Sequence, residues 1–228
     1  GIDLSERQIE ANRAQAETIC KGQTLQPTWI VGDSQDVKTL AFGEYDLVFS
    51  CPPYADLEVY SEDKKDLSTM PYEEFIKAYR EIISGCVSML KDNRFAVFVV
   101  GDVRDKKGFY RNFPAHTIDA FQDAGMILYN QAILITAVGS LPIRAGRQFE
   151  AGRKLGKTHQ DVMMFFKGDP VEIKKTIDKA FINGRQLARV HNEVSVFYKG
   201  DPKEIRNNYP EIIIEETDEA LAGLAFDK

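Results

Sequence analysis

The apolar run Tyr45-Asp46-Leu47-Val48-Phe49 leads directly into Ser50-Cys51-Pro52-Pro53-Tyr54, and no other stretch restricts the folding of the chain as much. Two successive prolines remove two backbone donors and fix two φ angles, so neither a sheet ladder nor a helix interior continues through them. A strand over these residues must stop near Ser50 and project a rigid loop from its carboxyl end. In an open α/β sheet that edge is where ligands bind.

Such a loop offers a backbone carbonyl at Pro52 with no strand partner and a flat aromatic face at Tyr54. These groups suit a planar base, stacked on the ring with its exocyclic amino group donating to the carbonyl. A ring-conjugated amino nitrogen is a poor nucleophile, because its lone pair is delocalised. Preorganised acceptors localise that pair and stabilise the charge that develops during attack on an electrophilic methyl group. The aromatic face also suits a neighbouring sulfonium cation.

The rest of the chain alternates between strand and helix patterns. Ser5 is placed to cap a helix running to about Cys20, with Gln8 as its capping-box partner, an apolar stripe of Ile9, Ala16 and Ile19, and Gly22 as the stop. Thr28 to Val31 reads as a short strand ended by Gly32-Asp33-Ser34, and Leu47 to Phe49 as the next. Pro71 to Leu90 has the spacing of a long helix with Phe75, Ile76, Tyr79, Ile82, Ile83, Val87 and Leu90 on one face. Phe95 to Val100 is an apolar run suited to a strand covered on both sides, ended by Gly101-Asp102. A helix over Pro114 to Ala124 and a strand region over Met126 to Val138 follow. The alternation predicts an α/β fold with a doubly wound, mostly parallel, Rossmann-like sheet.

In that topology Asp3, Asp33, Ser50 to Tyr54 and Asp102 all fall at strand ends along one edge. Asp3 is placed to accept hydrogen bonds from a ribose diol, and Asp33, followed by Ser34, to accept from the amino group of an adenine ring. Asp102 is a candidate for the target-base pocket, with an Asp102-Arg104 turn as the plain structural alternative. His116 carries no partner motif and reads as structural; no Ser-His-Asp or metal-ligand spacing is found.

The net charge of −6 excludes a generally basic nucleic-acid coat, so any contact with DNA must be local. One local candidate is the stretch holding Arg144, Arg147, Arg153, Lys154 and Lys157 against only Glu150, with Gly146, Gly152 and Gly156 interspersed. It suits the tracking of phosphates, with a solvated surface loop as the alternative. No apolar run approaches ~18 residues and no leader pattern opens the chain, so neither a membrane span nor export is expected. The cysteines, Cys20, Cys51 and Cys86, read as reduced thiols of a cytoplasmic protein.

Ser50 to Tyr54 resembles the catalytic motif of amino-group DNA methyltransferases, Asp/Asn/Ser-Pro-Pro-Tyr, and roughly residues 1 to 170 resemble solitary phage-type members. The resemblance implies a Rossmann-like methyltransferase domain over 1–170 with a C-terminal antiparallel hairpin, and an extension over 171–228. It further implies S-adenosylmethionine as methyl donor, Asp3 as the ribose-binding acid and Asp33 as the adenine-binding acid, with Ser34 and Ser50 beside the cofactor. Ser50, Cys51, Pro52, Pro53 and Tyr54 become the catalytic set, and Tyr54, Asp102, Arg144, Arg147 and Arg153 the DNA-contacting set. Cys51 departs from the pattern, since thiol sulfur is a weak acceptor where the family has a strong one. The target is thereby left open between adenine N6 and cytosine N4.

A second departure is the family's first strand and Gly-rich turn, which precede the strand ending at Asp3 and are not found in this sequence. A truncated chain, a partner chain supplying that unit and a degenerate domain are the explanations. Two further functions therefore stand beside a DNA methyltransferase of a phage or restriction-modification system: a half-site nucleic-acid-binding subunit, and a methyltransferase of RNA or a small amino-bearing substrate. Finally, Phe149 to Ile173 aligns with Phe181 to Ile205 at a shift of 32 with about half of the positions identical. The second copy is expected as an extra edge strand or as one exchanged with another molecule.

Overall fold

The computed structural model describes residues 1–57, 59–135, 157 and 159–173. All of them fall within one compact unit, Gly1–Lys174. Its elements are β1 (Ile2–Asp3), α1 (Glu6–Ile19), β2 (Ile30–Val31), a 3-10 turn (Ser34–Asp36) running into α2 (Val37–Leu40), β3 (Tyr45–Ser50), α3 (Tyr72–Met89), β4 (Leu90–Val100), α4 (Phe113–Asp123), β5 (Ile127–Ile135) and β6 (His159–Lys167). No described helix is long and apolar enough to cross a membrane.

The first unit is a small βαβ. Ser5 caps α1, its Oγ accepting from the Gln8 amide at 3.2 Å. The Gln8 side chain donates forward to Asn12 Oδ1 at 2.9 Å, so only half of the expected capping box forms. Of the expected stripe only Ile9 is buried, because the helix covers just the two-residue strands β1 and β2. These pair in parallel with Asp3 opposite Val31. The strand expected over Thr28 to Val31 is thus shortened to its last two residues.

The main sheet has the order β3-β4-β6-β5. β3 and β4 are parallel, with Ser50 opposite Phe98, while β6 runs antiparallel to both β4 and β5. The expected hairpin is present as β5–β6, with its second strand inserted into the sheet. Burial explains the insertion. Val162, Met163, Phe165 and Phe166 point to both faces of β6 and all four are buried, whereas β5 is exposed at most positions and suits an edge.

α3 follows Pro71 as its N-cap residue, carries Glu73 and Glu74 in its first turn where the helix dipole favours them, and buries Phe75, Ala78, Tyr79, Ile83 and Val87. It passes into β4 at Leu90 without a loop. Gly85 admits α2 against this helix: a β-carbon there would lie 2.7 Å from Val37 Cγ1. The core between the sheet and α3/α4 is aromatic. Phe121 stacks on Phe165 with centroids 3.9 Å apart, Phe98 meets Phe121 at 4.8 Å, and Phe113 lies 5.5 Å from Phe75 and 5.3 Å from Tyr79. The Tyr79 hydroxyl is satisfied inside it by Thr117 Oγ1 at 3.2 Å.

The opposite face of β3 is different. Tyr45, Leu47 and Phe49 alternate away from this core and are 41%, 37% and 50% exposed. Among the described residues β3 pairs only with β4, so its other edge is open.

Candidate active site

β3 ends where expected, and Cys51 to Tyr54 form the loop beyond it. What fixes the loop is Tyr54. Its ring and that of Phe113 form a T-shaped pair with centroids 6.0 Å apart and planes at 66°, and its hydroxyl accepts a hydrogen bond from Gln160 Nε2 on β6. Gly101, at the end of β4, closes the third side: a β-carbon there would touch both Tyr54 Cε2 and Gln160 Cγ at 3.7 Å. Burial pushes the phenol up to about 12, against the lowering by the Gln160 bond. Tyr54 therefore stays protonated at neutral pH, and with Gln160 donating to its oxygen the phenolic proton remains available to another acceptor.

The chain reverses immediately after the ring. Ala55 adopts φ +50, Leu57 N donates to Tyr54 O at 3.2 Å, and the Ala55 methyl is fully buried in the core. A left-handed alanine costs roughly 1–2 kcal/mol, so packing around its methyl must offset the strain.

Among the described residues the Pro52 carbonyl accepts no hydrogen bond, and the Ser50 hydroxyl and Cys51 thiol have no partner. Cys51 is exposed by surface area, yet the surrounding protein pushes its thiol up. It is thus a neutral thiol at pH 7 rather than a thiolate nucleophile.

The segment between β4 and α4 braces the loop from the side. Arg111 Nη1 donates to Asp56 Oδ1 at 2.5 Å, two residues beyond Tyr54, and its guanidinium lies 4.6 Å from the centre of the Tyr72 ring. The hydrogen bond from Arg111 holds the Asp56 carboxyl below its ordinary value. The Tyr72 hydroxyl in turn meets His116 Nδ1 at 2.8 Å, which gives His116 the structural role its sequence context suggests.

Asp102 follows β4 as expected, and its Oδ2 accepts from Lys157 Nζ at 2.6 Å. The same ammonium lies 5.3 Å from the Tyr110 ring centre and is raised, chiefly by its bond to Asp102. Arg104 does not pair with Asp102; it donates to Gly108 O at 2.8 Å and covers Tyr110 at 3.7 Å. Arg144, Arg147, Arg153 and the second repeat copy lie outside the described residues.

Asp3 and Asp33 lie at the carboxyl ends of the adjacent strands β1 and β2, joined by the bond from Gly32 N to Asp3 O at 3.0 Å. Each commits Oδ1 to a local cap, Asp3 to Ser5 N at 2.8 Å and Asp33 to Gln35 N at 2.9 Å. Ser34 opens the turn that Asp33 caps. Each carboxylate keeps its second oxygen, which fits the diol and amino donors of a nucleoside. These acids belong to the two-stranded sheet, whereas Ser50 to Tyr54 and Asp102 belong to the edge of the four-stranded one. The described residues contain no group of three His, Cys, Asp or Glu side chains able to hold a metal ion.

Sequence reading missed Gln160, Phe113, Asp56 and Arg111, and it placed Lys157 in the cationic stretch without its pairing to Asp102. Gln160 carried a signal, as a polar residue entering the apolar strand Val162 to Phe166. The others gain meaning only through contacts that span about fifty residues or more.

Residues 45–221, well over half of the chain, match the model of the N6/N4 methyltransferase family, described as DNA methylase, and the chain belongs to that family. Among solved structures it is similar to a proposed DNA modification methylase of Thermus thermophilus. There the identity is 22% over 61% of this chain and 53% of that one, with a TM-score of 0.45. It is also similar to magnesium protoporphyrin IX methyltransferase of Synechocystis, at 16% identity over 73% and 58% of the two chains and a TM-score of 0.43. A methyltransferase of Pyrococcus furiosus resembles it at 15% identity over 74% and 61%, again with a TM-score of 0.43. The chain spans about half the length of the Thermus protein. None of the curated proteins compared matches it.

The Tyr54–Gln160 bond is half-buried and spans the loop and β6. Tyr54→Phe and Gln160→Leu should each lower stability by about 1 kcal/mol. The double variant should lose little more than either single one, because both remove the same bond. Urea unfolding of the four proteins measures the coupling, and additive losses would show that the bond contributes nothing.

Proposed function

We propose that this chain is a DNA methyltransferase acting on an exocyclic amino group, adenine N6 or cytosine N4, of a base flipped out of the duplex. One observation carries the reading: Tyr54 is fixed from two sides beside a Pro52 carbonyl that accepts no hydrogen bond among the described residues. A stacking surface next to a free, preorganised acceptor suits a planar base with an amino group at its edge. The neutral Cys51 supports amino rather than ring-carbon chemistry, since attack on a ring carbon would call for a thiolate.

In this mechanism the base stacks on Tyr54 and its amino group donates to Pro52 O and to Ser50 Oγ. The two acceptors draw the lone pair out of conjugation and direct it away from the ring. As the nitrogen gains the methyl group it loses one proton, which these oxygens hold by hydrogen bonding until solvent takes it. Asp3 and Asp33 would hold the nucleoside part of S-adenosylmethionine through their second carboxylate oxygens, with Ser34 beside them. When bound, that cofactor supplies the electrophilic methyl group. Arg144, Arg147 and Arg153 are proposed as phosphate contacts, and Asp102, through Lys157, as the anchor for the end of that cationic stretch.

Incubation with methyl-labelled cofactor and DNA, followed by nucleoside analysis, should recover label as N6-methyladenine or N4-methylcytosine. Label on cytosine C5, or on the protein, would overturn the amino-group assignment. RNA that takes label in preference to DNA would move the proposal to another substrate.

The open edge of β3 and the exposed Tyr45, Leu47 and Phe49 support a second reading, in which another parallel strand must join before the cofactor site is complete. On that reading calorimetric titration of S-adenosylmethionine into the 228-residue chain gives no micromolar binding. Micromolar binding by this chain alone would contradict it.

A further inference from the structure

The turn between Arg104 and Tyr110 has no part in the chemistry above, yet it is one of the most heavily braced surface features among the described residues. Arg104 and Tyr110 form an isolated antiparallel bridge. Inside it Asp105 N donates to Phe109 O at 2.8 Å, Gly108 N to Asp105 O at 2.9 Å, and Phe109 N to Asp105 Oδ1 at 2.8 Å. Gly108 supplies the left-handed φ of +93 that closes the turn. At the base, Arg111 N donates to Val103 O at 2.9 Å and Val103 is buried.

This scaffold holds out an unusual tip. Lys106 and Lys107 are exposed and form no ion pair among the described residues, and Phe109 beside them is 70% exposed. A mobile loop would fold such a ring back onto the protein, and an ordinary solvated turn would carry a polar residue there. A rigid turn that exposes a phenyl ring between two exposed ammonium groups and Tyr110 has the composition of a nucleic-acid contact, with cations for the backbone and an aromatic face for bases. Asp105, the acid within the turn, is engaged by the turn's own backbone: its carboxyl accepts the Phe109 amide and is held below its ordinary value by backbone hydrogen bonds. The local excess of positive charge stands out in a chain of net charge −6.

The position is also suitable. Arg111, at the foot of the turn, is tied to Asp56 just after the proline loop, and Gly101, where the segment starts, lies against Tyr54. We propose that the Arg104–Tyr110 turn is a DNA-engaging element, in which Lys106 and Lys107 bind backbone phosphates and Phe109 stacks on a base where the duplex opens beside the flipped nucleotide. This rests on the reading of the chain as a DNA methyltransferase and adds the contact that holds the opened stack.

The test is equilibrium binding of the full chain to two fluorescent DNA probes, one fully paired duplex and the same duplex with a single abasic site, over a range of salt. Phe109→Ala should bind the abasic duplex about tenfold more weakly, the loss expected for one stacked base. Its salt slope and its urea unfolding should stay unchanged, because the ring is exposed. Lys106→Ala/Lys107→Ala should lower the salt slope by about two. Phe109→Trp places an indole at the tip, and its emission should be quenched by DNA relative to the wild type, whose single tryptophan is Trp29. Wild-type affinity and slope in the variants, with an unquenched indole, would overturn this proposal and leave the methyltransferase reading intact. A wild-type chain that binds neither probe would overturn both.

Discussion

The candidate site depends on one aromatic contact, the T-shaped pair of Phe113 and Tyr54. Phe113 is fully buried and begins α4, and its other contacts run through Phe75 and Tyr79 to Phe98, Phe121 and Phe165. Tyr54 is therefore the half-buried outer end of a line of packed rings that crosses the core to β6. Close packing is stiff, so the loop takes the rigidity of the domain although it carries almost no secondary structure of its own. The buried, left-handed Ala55 belongs to the same device, because it anchors the chain directly behind the ring.

The inserted strand gains a functional meaning from this arrangement. An antiparallel β6 between β4 and β5 brings Gln160 next to the end of β4, beside Gly101, where it reaches Tyr54. A strand on the sheet edge would place that amide elsewhere. Two ion pairs, Arg111–Asp56 and Lys157–Asp102, then join the segment after β4 to the loop after β3 and to the foot of the cationic stretch. Both are partly exposed, and pairs of this kind add modest stability. Their contribution is to register, setting where the braced turn stands relative to Tyr54.

Much of the scaffold was legible because it depends on local rules. Pro52-Pro53 had to end β3, the apolar spacing of Phe75 to Val87 had to bury one helix face, and Ser5 had to start a helix. Strand order was less legible, since the burial of β6 on both faces is decided by neighbours that a nine-residue strand does not announce. The turn at Ala55 was hidden for a related reason: a left-handed position filled by alanine gives no glycine signal. Asp3 and Asp33 lie at strand ends as expected, but on the two-stranded sheet rather than on the edge that carries Ser50 to Tyr54, and each commits one oxygen to a local cap, with Ser5 and with Gln35. Gln160 and Arg111 become meaningful only after the long-range contacts have formed.

If the seat of Tyr54 controls the chemistry, loosening it from behind should slow methyl transfer while leaving the cofactor side untouched. The direct measurement is the single-turnover methylation rate of DNA by Phe113→Leu, with the affinity for S-adenosylmethionine determined in parallel. A displaced ring predicts a rate lower by about tenfold or more, with cofactor affinity unchanged and unfolding still cooperative. A wild-type rate in this variant, or a loss explained entirely by weaker cofactor binding, would contradict the account.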